Sequence, residues 1–287
     1  MLVYIAVISG KGGTGKTTVA VNLAYVASLH EPVYLVDLDA EEPNGHLFFG
    51  EKIQWLGQHT VYKSLPEINL DVCTFCGKCQ EACQKGAIVV GKTTVMVFEN
   101  LCHGCMLCQY VCPEDGAIVP RQKPIGYIKW GRISDTLDYY MGLMNIGELS
   151  ATPIIRETKR KVPGDRLTIV DGAPGASCPV VAAVDGADFV ILVTEPTPFG
   201  LHDLSIAHSI TKQLGLKAGL IVNRDDFGNP YTPLEEYIEE NDLKVLARIP
   251  FSREIATAYS KGLILSEHIP FVRDIFEDVY SKVVTMQ

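Results

Sequence analysis

The sequence predicts an α/β protein, a doubly wound, mostly parallel sheet interrupted by a small, cysteine-rich α+β insertion. Three observations carry this: short apolar runs alternating with helical segments at both ends of the chain, a glycine-rich turn between the first run and the first helix, and eight of the nine cysteines confined to Cys73–Cys112. A chain of 287 residues with 47% hydrophobic content is long enough for one sizeable core with a small satellite.

The elements follow in order. Leu2 to Ile8 reads as a buried strand, Lys16 to about Leu29 as a helix and Val33 to Val36 as a second buried strand, the opening of a parallel βαβ unit. From about Lys63 to Pro124 the texture changes to cysteines and short β-prone pieces, Ala87 to Val90 and Thr94 to Phe98. After Pro124 a linker-like stretch leads to a helix from about Gly147 to Lys161. The alternation then resumes, with strands at Leu167 to Val170, Phe189 to Val193, Ala218 to Val222 and Val245 to Arg248, and helices near 200–213, 233–240 and 252–260. The expected division is 1–62 and 125–287 for the α/β unit and 63–124 for the insertion.

The apolar runs are strand-length, far short of the roughly 20 residues a spanning helix needs, and no basic leader or cleavage site is evident, so the expectation is a cytoplasmic protein. A formal charge of -9, to which two thiolate-held clusters would add roughly -4, disfavours nucleic acid as a partner. The basic run Lys159, Arg160 and Lys161 reads as a solvated helix end. Pro270 to Val284 has apolar positions at Phe271, Ile275, Val279 and Val283, with Arg273, Asp274, Glu277, Asp278 and Lys282 between them. A membrane-surface helix would be basic on its polar face, so this one is expected to pack on the core.

Gly10-Lys11-Gly12-Gly13-Thr14-Gly15-Lys16-Thr17 fits G-x-x-x-x-G-K-[ST] between a strand and a helix. Glycines let backbone amides converge on phosphate oxygens, Lys16 reaches the outer phosphates, and the Thr17 hydroxyl is suited to Mg²⁺. Gly12 to Thr18 are therefore the expected ATP-phosphate contacts. With the additional Lys11, the loop resembles the deviant Walker A of the MinD/ParA/nitrogenase iron protein superfamily of P-loop ATPases. That resemblance implies an ATP-dependent homodimer in which Lys11 acts in trans across the interface, with Lys11, Lys16 and Asp39 catalytic. Val33 to Asp39 looks like the family's second-strand motif, assigning Asp37 to the Mg²⁺ shell and Asp39 to the attacking water. Leu167 to Gly175 resembles Walker B and switch II, with Asp171 near Mg²⁺. Asn223-Arg224 and Pro250-Phe251 match later positions, where the asparagine usually reads adenine.

Cys73-x2-Cys76-x2-Cys79-x3-Cys83 and Cys102-x2-Cys105-x2-Cys108-x3-Cys112-Pro113 are two copies of the bacterial ferredoxin run. The fourth cysteine of each run is expected to serve the other cluster. This gives one [4Fe–4S] cluster on Cys73, Cys76, Cys79 and Cys112 and a second on Cys102, Cys105, Cys108 and Cys83. A mononuclear zinc site would leave the x3-Cys spacing unexplained. Gln84 stands where the run usually has proline. Cys178, seven residues beyond Asp171, resembles in spacing a switch II cysteine of the nitrogenase iron protein; the alternatives are a thiol at a dimer interface and a small buried residue entering a helix at Pro179.

The chain as a whole resembles MinD-superfamily ATPases with an inserted ferredoxin domain. That implies an ATPase coupling a nucleotide-dependent dimer switch to electron transfer, or to metallocluster assembly, on a partner resembling iron–molybdenum cofactor carriers. The alternatives are a cluster-based redox sensor with the ATPase as dimerisation switch, and a spatial organiser of the MinD/ParA type.

Overall fold

The computed structural model describes residues 3–226 and 230–285. In chain order the elements are β1 (Tyr4–Ile8), α1 (Lys16–Ser28), β2 (Val33–Asp37), β3 (Gln54–Ile68), α2 (Lys78–Ala82), β4 (Ile88–Val90), β5 (Val95–Val97), α3 (Leu107–Tyr110), β6 (Ile118–Ser134), β7 (Leu137–Met144) and α4 (Thr152–Lys161). They continue with β8 (Leu167–Asp171), α5 (Cys178–Val184), β9 (Phe189–Thr194), α6 (Pro198–Gln213), β10 (Ala218–Asp225), α7 (Thr232–Glu240), β11 (Val245–Pro250), α8 (Arg253–Ser260), α9 (Leu265–His268) and α10 (Pro270–Thr285). Leu2, the expected start of the first strand, lies outside the described residues.

One nine-stranded sheet, in the order β11-β10-β9-β1-β8-β2-β7-β6-β3, forms the frame. From β11 to β7 the strands are parallel; β6 and β3 complete the edge antiparallel. Strand alternation divides the core. Ile5, Val7, Leu35, Ile169 and Ile191 face α1 and α10, whereas Ala6, Ile8, Val190 and Leu192 face α5, α6 and α7. Small residues on α1, among them Ala20, Ala24 and Ala27, are fully buried and let its backbone lie close to the sheet. The fold class is the expected one.

The stretch after Pro124 is not a linker. β6 and β7 occupy it, and β3 is a further strand without counterpart in the sequence reading. β3 and β6 form a long antiparallel ribbon, from Gln54↔Arg132 to Ile68↔Ile118. Its lower half belongs to the main sheet, where β6 pairs with β7 as far as Gly126↔Met144. Val61 also pairs with Gly126, so the segment Tyr62–Ile68, paired with Ile118–Pro124, continues beyond the end of β7 by roughly 20 Å at ~3.3 Å per residue. β7 is parallel to β2, with Met141 opposite Asp37, so this overhang extends past the C-terminal edge of the parallel strands. The cysteine runs, α2, α3 and the β4–β5 hairpin lie between its two ends.

α10 packs on the core as expected, with Val279 and Val283 buried; in its first half Val272 and Phe276 are buried instead, whereas Phe271 is exposed and Ile275 only partly covered. Lys159 is also more than a solvated helix end, since its Nζ donates to the Ala182 carbonyl at 3.0 Å and lies over the Tyr4 ring. Among the described residues no helix is long and apolar enough to cross a membrane.

Candidate functional site: a phosphate loop and a cysteine module on one sheet edge

The loop after β1 wraps the start of α1. Gly13 and Gly15 have φ of +83° and +95°, in the left-handed region that only glycine occupies freely. A Cβ on Gly15 would also stand 2.2 Å from the Asn223 side-chain nitrogen. Asn223 Nδ2 donates to the Thr14 carbonyl at 2.7 Å, fastening the end of β10 to the phosphate loop. Asn223, which the resemblance assigns to adenine, also lines the neighbouring cavity. Arg224, at φ +54°, forms an ion pair with Glu195.

Beside the loop lies a cavity of about 770 Å³. Gly13, Gly15, Lys16, Thr17 and Asp39 line it, together with the more apolar Pro250, Phe251, Ile255 and Tyr259. Of the expected nucleotide contacts, Gly12, Thr18, Asn223 and Arg224 also reach it. Ile255 and Tyr259 of α8 had no signal in the sequence beyond their place after Pro250.

Lys16 Nζ is buried against carboxylates, 2.5 Å from Asp171 Oδ1 and 3.7 Å from Asp39 Oδ2. Burial alone would lower the ammonium pKa, but the charges of Asp171, Asp39 and Asp37 raise it overall. Asp37 is fully buried, and burial first, then the charge of Asp171, pushes its carboxyl up to about 7; burial likewise moves Asp39 to about 6. Asp37 does not face the cavity. Its Oδ1 accepts from the Asp39 amide at 3.1 Å, and its Oδ2 from the Gly45 amide at 2.9 Å and the Tyr139 hydroxyl at 3.1 Å, so it anchors the 39–45 loop. Tyr139, absent from the sequence reading, is wholly buried on β7.

Among the described residues, two buried polar atoms here lack a partner, Thr14 Oγ1 and Asp171 Oδ2. Such orphans are costly unless a ligand satisfies them. A phosphate with its magnesium, offering acceptors to the loop and a cation to the carboxylate, fits this donor and acceptor set. Lys11 points elsewhere, 6.0 Å from the centre of the exposed Phe199 ring.

The two cysteine runs repeat one backbone shape. In each, the second residue after the first cysteine is left-handed (Phe75, φ +53°; Gly104, φ +73°), and so is the fourth (Gly77, φ +80°; Met106, φ +56°). At the first of these positions the amide donates to the preceding sulfur, Phe75 to Cys73 and Gly104 to Cys102, each at 3.4 Å. Holding Phe75 and Met106 left-handed costs about 1 kcal/mol apiece. The return is a concave array of amides around sulfur, the environment that stabilises anionic thiolates. Cys73, Cys76, Cys79 and Cys112 line one small pocket at the ribbon tip with Ile68 and Ile118. This is the four-cysteine set expected for the first cluster. Cys79 and Cys108 are buried together with Ile88 and Ile118, and burial pushes the Cys108 thiol up to about 11. Among the described residues no three Cys, His or carboxylate side chains converge as a single metal ion requires; a cubane cluster instead meets its thiolates at separate corners. Cys178, at the start of α5, is exposed rather than buried.

The family described as the CobQ/CobB/MinD/ParA nucleotide binding domain matches residues 5–265. The chain belongs to this family. The CobQ/CobB/MinD/ParA match begins in β1 and ends in α9, spanning the phosphate loop, the ribbon and the cysteine module. An uncharacterised protein of Methanocaldococcus jannaschii is 30% identical over 91% of this chain and 90% of its own length. The iron-sulfur cluster carrier protein of the same organism is 25% identical, covering 90% of this chain and 76% of that protein. Among solved structures, the septum site-determining protein MinD of Pyrococcus horikoshii, complexed with Mg-ADP, aligns with a TM-score of 0.60 over 99% of this chain and 96% of that one, at 19% identity. That likeness establishes the MinD-type fold.

Proposed function

We propose that this protein binds and hydrolyses ATP with Mg²⁺ and carries two [4Fe–4S] clusters in a module formed by residues 63–124, so that nucleotide state governs electron transfer or metallocluster assembly on a partner protein. The observation that carries the reading is placement. Phosphate loop and cysteine module rise from the same edge of one sheet, and β3 and β6 run unbroken from that sheet into the module.

In this reading the amides of Gly13 to Thr17 and the Lys16 ammonium hold the phosphates. Thr17, Asp171 and Asp37 are the residues that would hold the Mg²⁺, which would supply neutralisation of phosphate charge. Phosphate takes over Lys16 from its carboxylates, which frees Asp39 to orient water. Asn223 braces the loop from β10, and Pro250 packs beside the base. Lys11 lies free of the cavity to reach a second copy, Arg224 lines the cavity beside Asn223, and the exposed Cys178 serves as an interface thiol. The clusters, held by Cys73, Cys76, Cys79 and Cys112 and by Cys102, Cys105, Cys108 and Cys83, supply one-electron transfer. Similarity to an iron-sulfur cluster carrier protein supports cluster handling by such a fold.

Anaerobic purification followed by iron and sulfide counting, MgATP turnover and mass determination with a non-hydrolysable ATP analogue tests the proposal. Iron and sulfide for two clusters, turnover and a nucleotide-dependent dimer are expected. Iron-free protein overturns the cluster reading, and absence of turnover with partner candidates present overturns the ATPase reading.

A further inference from the structure

The two cysteine sites are mounted unequally on the ribbon. The Cys102–Cys105 loop lies low: a Cβ on Gly104 would meet the Ser64 carbonyl oxygen at 3.0 Å and Lys63 Cβ at 3.4 Å. Ser64 is three residues past Val61, roughly 10 Å beyond the end of β7. The Cys73–Cys79 loop instead caps the far end, sharing its pocket with Ile68 and Ile118, the last pair of the ribbon.

The low loop is also wired to the nucleotide site. Asp39, paired with Lys16, precedes Ala40, whose carbonyl accepts the Met144 amide at 2.7 Å. Met144 ends β7 and leads into the loop that carries Glu148, whose side chain is only 9% exposed. Glu148 is gripped by Lys63 at 2.7 Å and by Lys123 at 2.9 Å. Lys63 in turn donates to the Glu99 carbonyl at 3.4 Å, and that carbonyl also accepts the Cys102 amide at 3.3 Å. Every step from Lys16 to Cys102 is thus a polar contact or a short stretch of chain. The polar contacts of the Cys73 loop among the described residues run to Asn69, Glu114 and its own sulfur, all within the module.

We infer that the two sites differ in function: the one formed by Cys102, Cys105, Cys108 and Cys83 is the site nucleotide state addresses, with Glu148 as the positioning residue that transmits it, and the tip site is insulated. This rests on the cluster reading above. Phosphate entering the loop replaces carboxylates as the counter-charge of Lys16, which moves Asp39 and with it the Ala40–Met144 link. Glu148, clamped by two lysines on the ribbon, passes that displacement to the Glu99 carbonyl and the Cys102 amide. Hydrogen bonding around cluster sulfur sets potential, so the readout is electrochemical.

The test is an EPR-monitored redox titration of holo-protein without nucleotide and with a non-hydrolysable MgATP analogue. C76A keeps only the low site and C105A only the tip site. The midpoint should differ between the two conditions in C76A and not in C105A. Adding Glu148→Gln to C76A should abolish the difference, and Glu148→Asp should restore part of it, with nucleotide affinity unchanged in both. A shift in C105A, an equal shift in both, or a shift surviving Glu148→Gln overturns the inference. If a variant fails to hold its cluster, amide hydrogen exchange of the wild-type protein decides: nucleotide should change protection at 62–66 and 99–105 and leave 73–79 unaltered, and no change at 99–105 overturns the link. Exchange needs no iron, so protein that binds nucleotide without iron sinks the cluster reading while this link is still judged.

Discussion

Lys16 Nζ, at the start of α1, and Asp171 Oδ1, at the end of β8, sit 2.5 Å apart, both almost wholly buried. In the proposed function a nucleotide competes with this carboxylate for the lysine. Removing one partner of such a pair leaves an uncompensated buried charge, so Lys16→Met should lose about 3 kcal/mol in urea unfolding near neutral pH. Lys16→Met/Asp171→Asn should lose less than Lys16→Met alone. The single variant should also show no thermal shift with MgATP, and a wild-type shift would overturn the phosphate-site assignment.

Gly15 and Asn223 form a second test. Gly15→Ala forces a side chain into φ +95° and against the Asn223 amide, and should abolish nucleotide binding by calorimetry. Asn223→Ala removes one hydrogen bond to the Thr14 carbonyl and should cost about 1 kcal/mol, read as roughly fivefold weaker nucleotide binding. An effect on adenosine but not on inorganic phosphate would return Asn223 to the base-reading role.

Cys76 and Cys105 are the exposed members of their runs. Replacing either with alanine should lower iron and sulfide by about half, since each is assigned to one cluster only. Unchanged content in Cys76→Ala would overturn the ligand scheme.

Glu148 gives a pH dependence. Burial works to raise its carboxyl, but the hydrogen bonds and charges of Lys63 and Lys123 win and hold it below the usual 4.5. A depressed carboxylate contributes stability above its unfolded pKa and loses it as pH falls through the folded one. Stability of the metal-free protein should therefore fall below about pH 4.5, and Glu148→Gln should flatten that part of the profile. An identical profile for the variant would remove Lys63 and Lys123 as its partners.

The parallel strands were legible because burial on both faces makes them continuous apolar runs, such as Val33-Tyr34-Leu35-Val36. The phosphate loop and the cysteine spacing were legible because their chemistry fixes residue types at fixed intervals. The ribbon was not. β6 carries Pro120, Pro124, Gly126 and Gly131, and its outer half is largely exposed, so neither apolar alternation nor the absence of breakers marks it as a strand. Pro66 and Pro120 face each other across a ribbon in which, among the described residues, β3 is the edge strand. Asp37 was read as a metal-shell residue from its motif, but the anchoring of the 39–45 loop depends on Gly45 and on Tyr139, a hundred residues away on β7, which no local pattern joins. The burial of Val272 and Phe276 in place of Phe271 and Ile275 on α10 has a similar origin, since all four are apolar and only the elements packed against the helix decide which are covered.

The pairing of Ile68 with Ile118 makes residues 69–117 a cassette. Its two ends leave the ribbon one strand spacing apart, roughly 5 Å, a gap a two-residue hairpin turn closes. Excision and a short splice would leave β3 and β6 as an ordinary hairpin and the nucleotide fold uncut. The same geometry lets a different module be grafted at that junction, with the parent sheet serving as a socket for interchangeable chemistry.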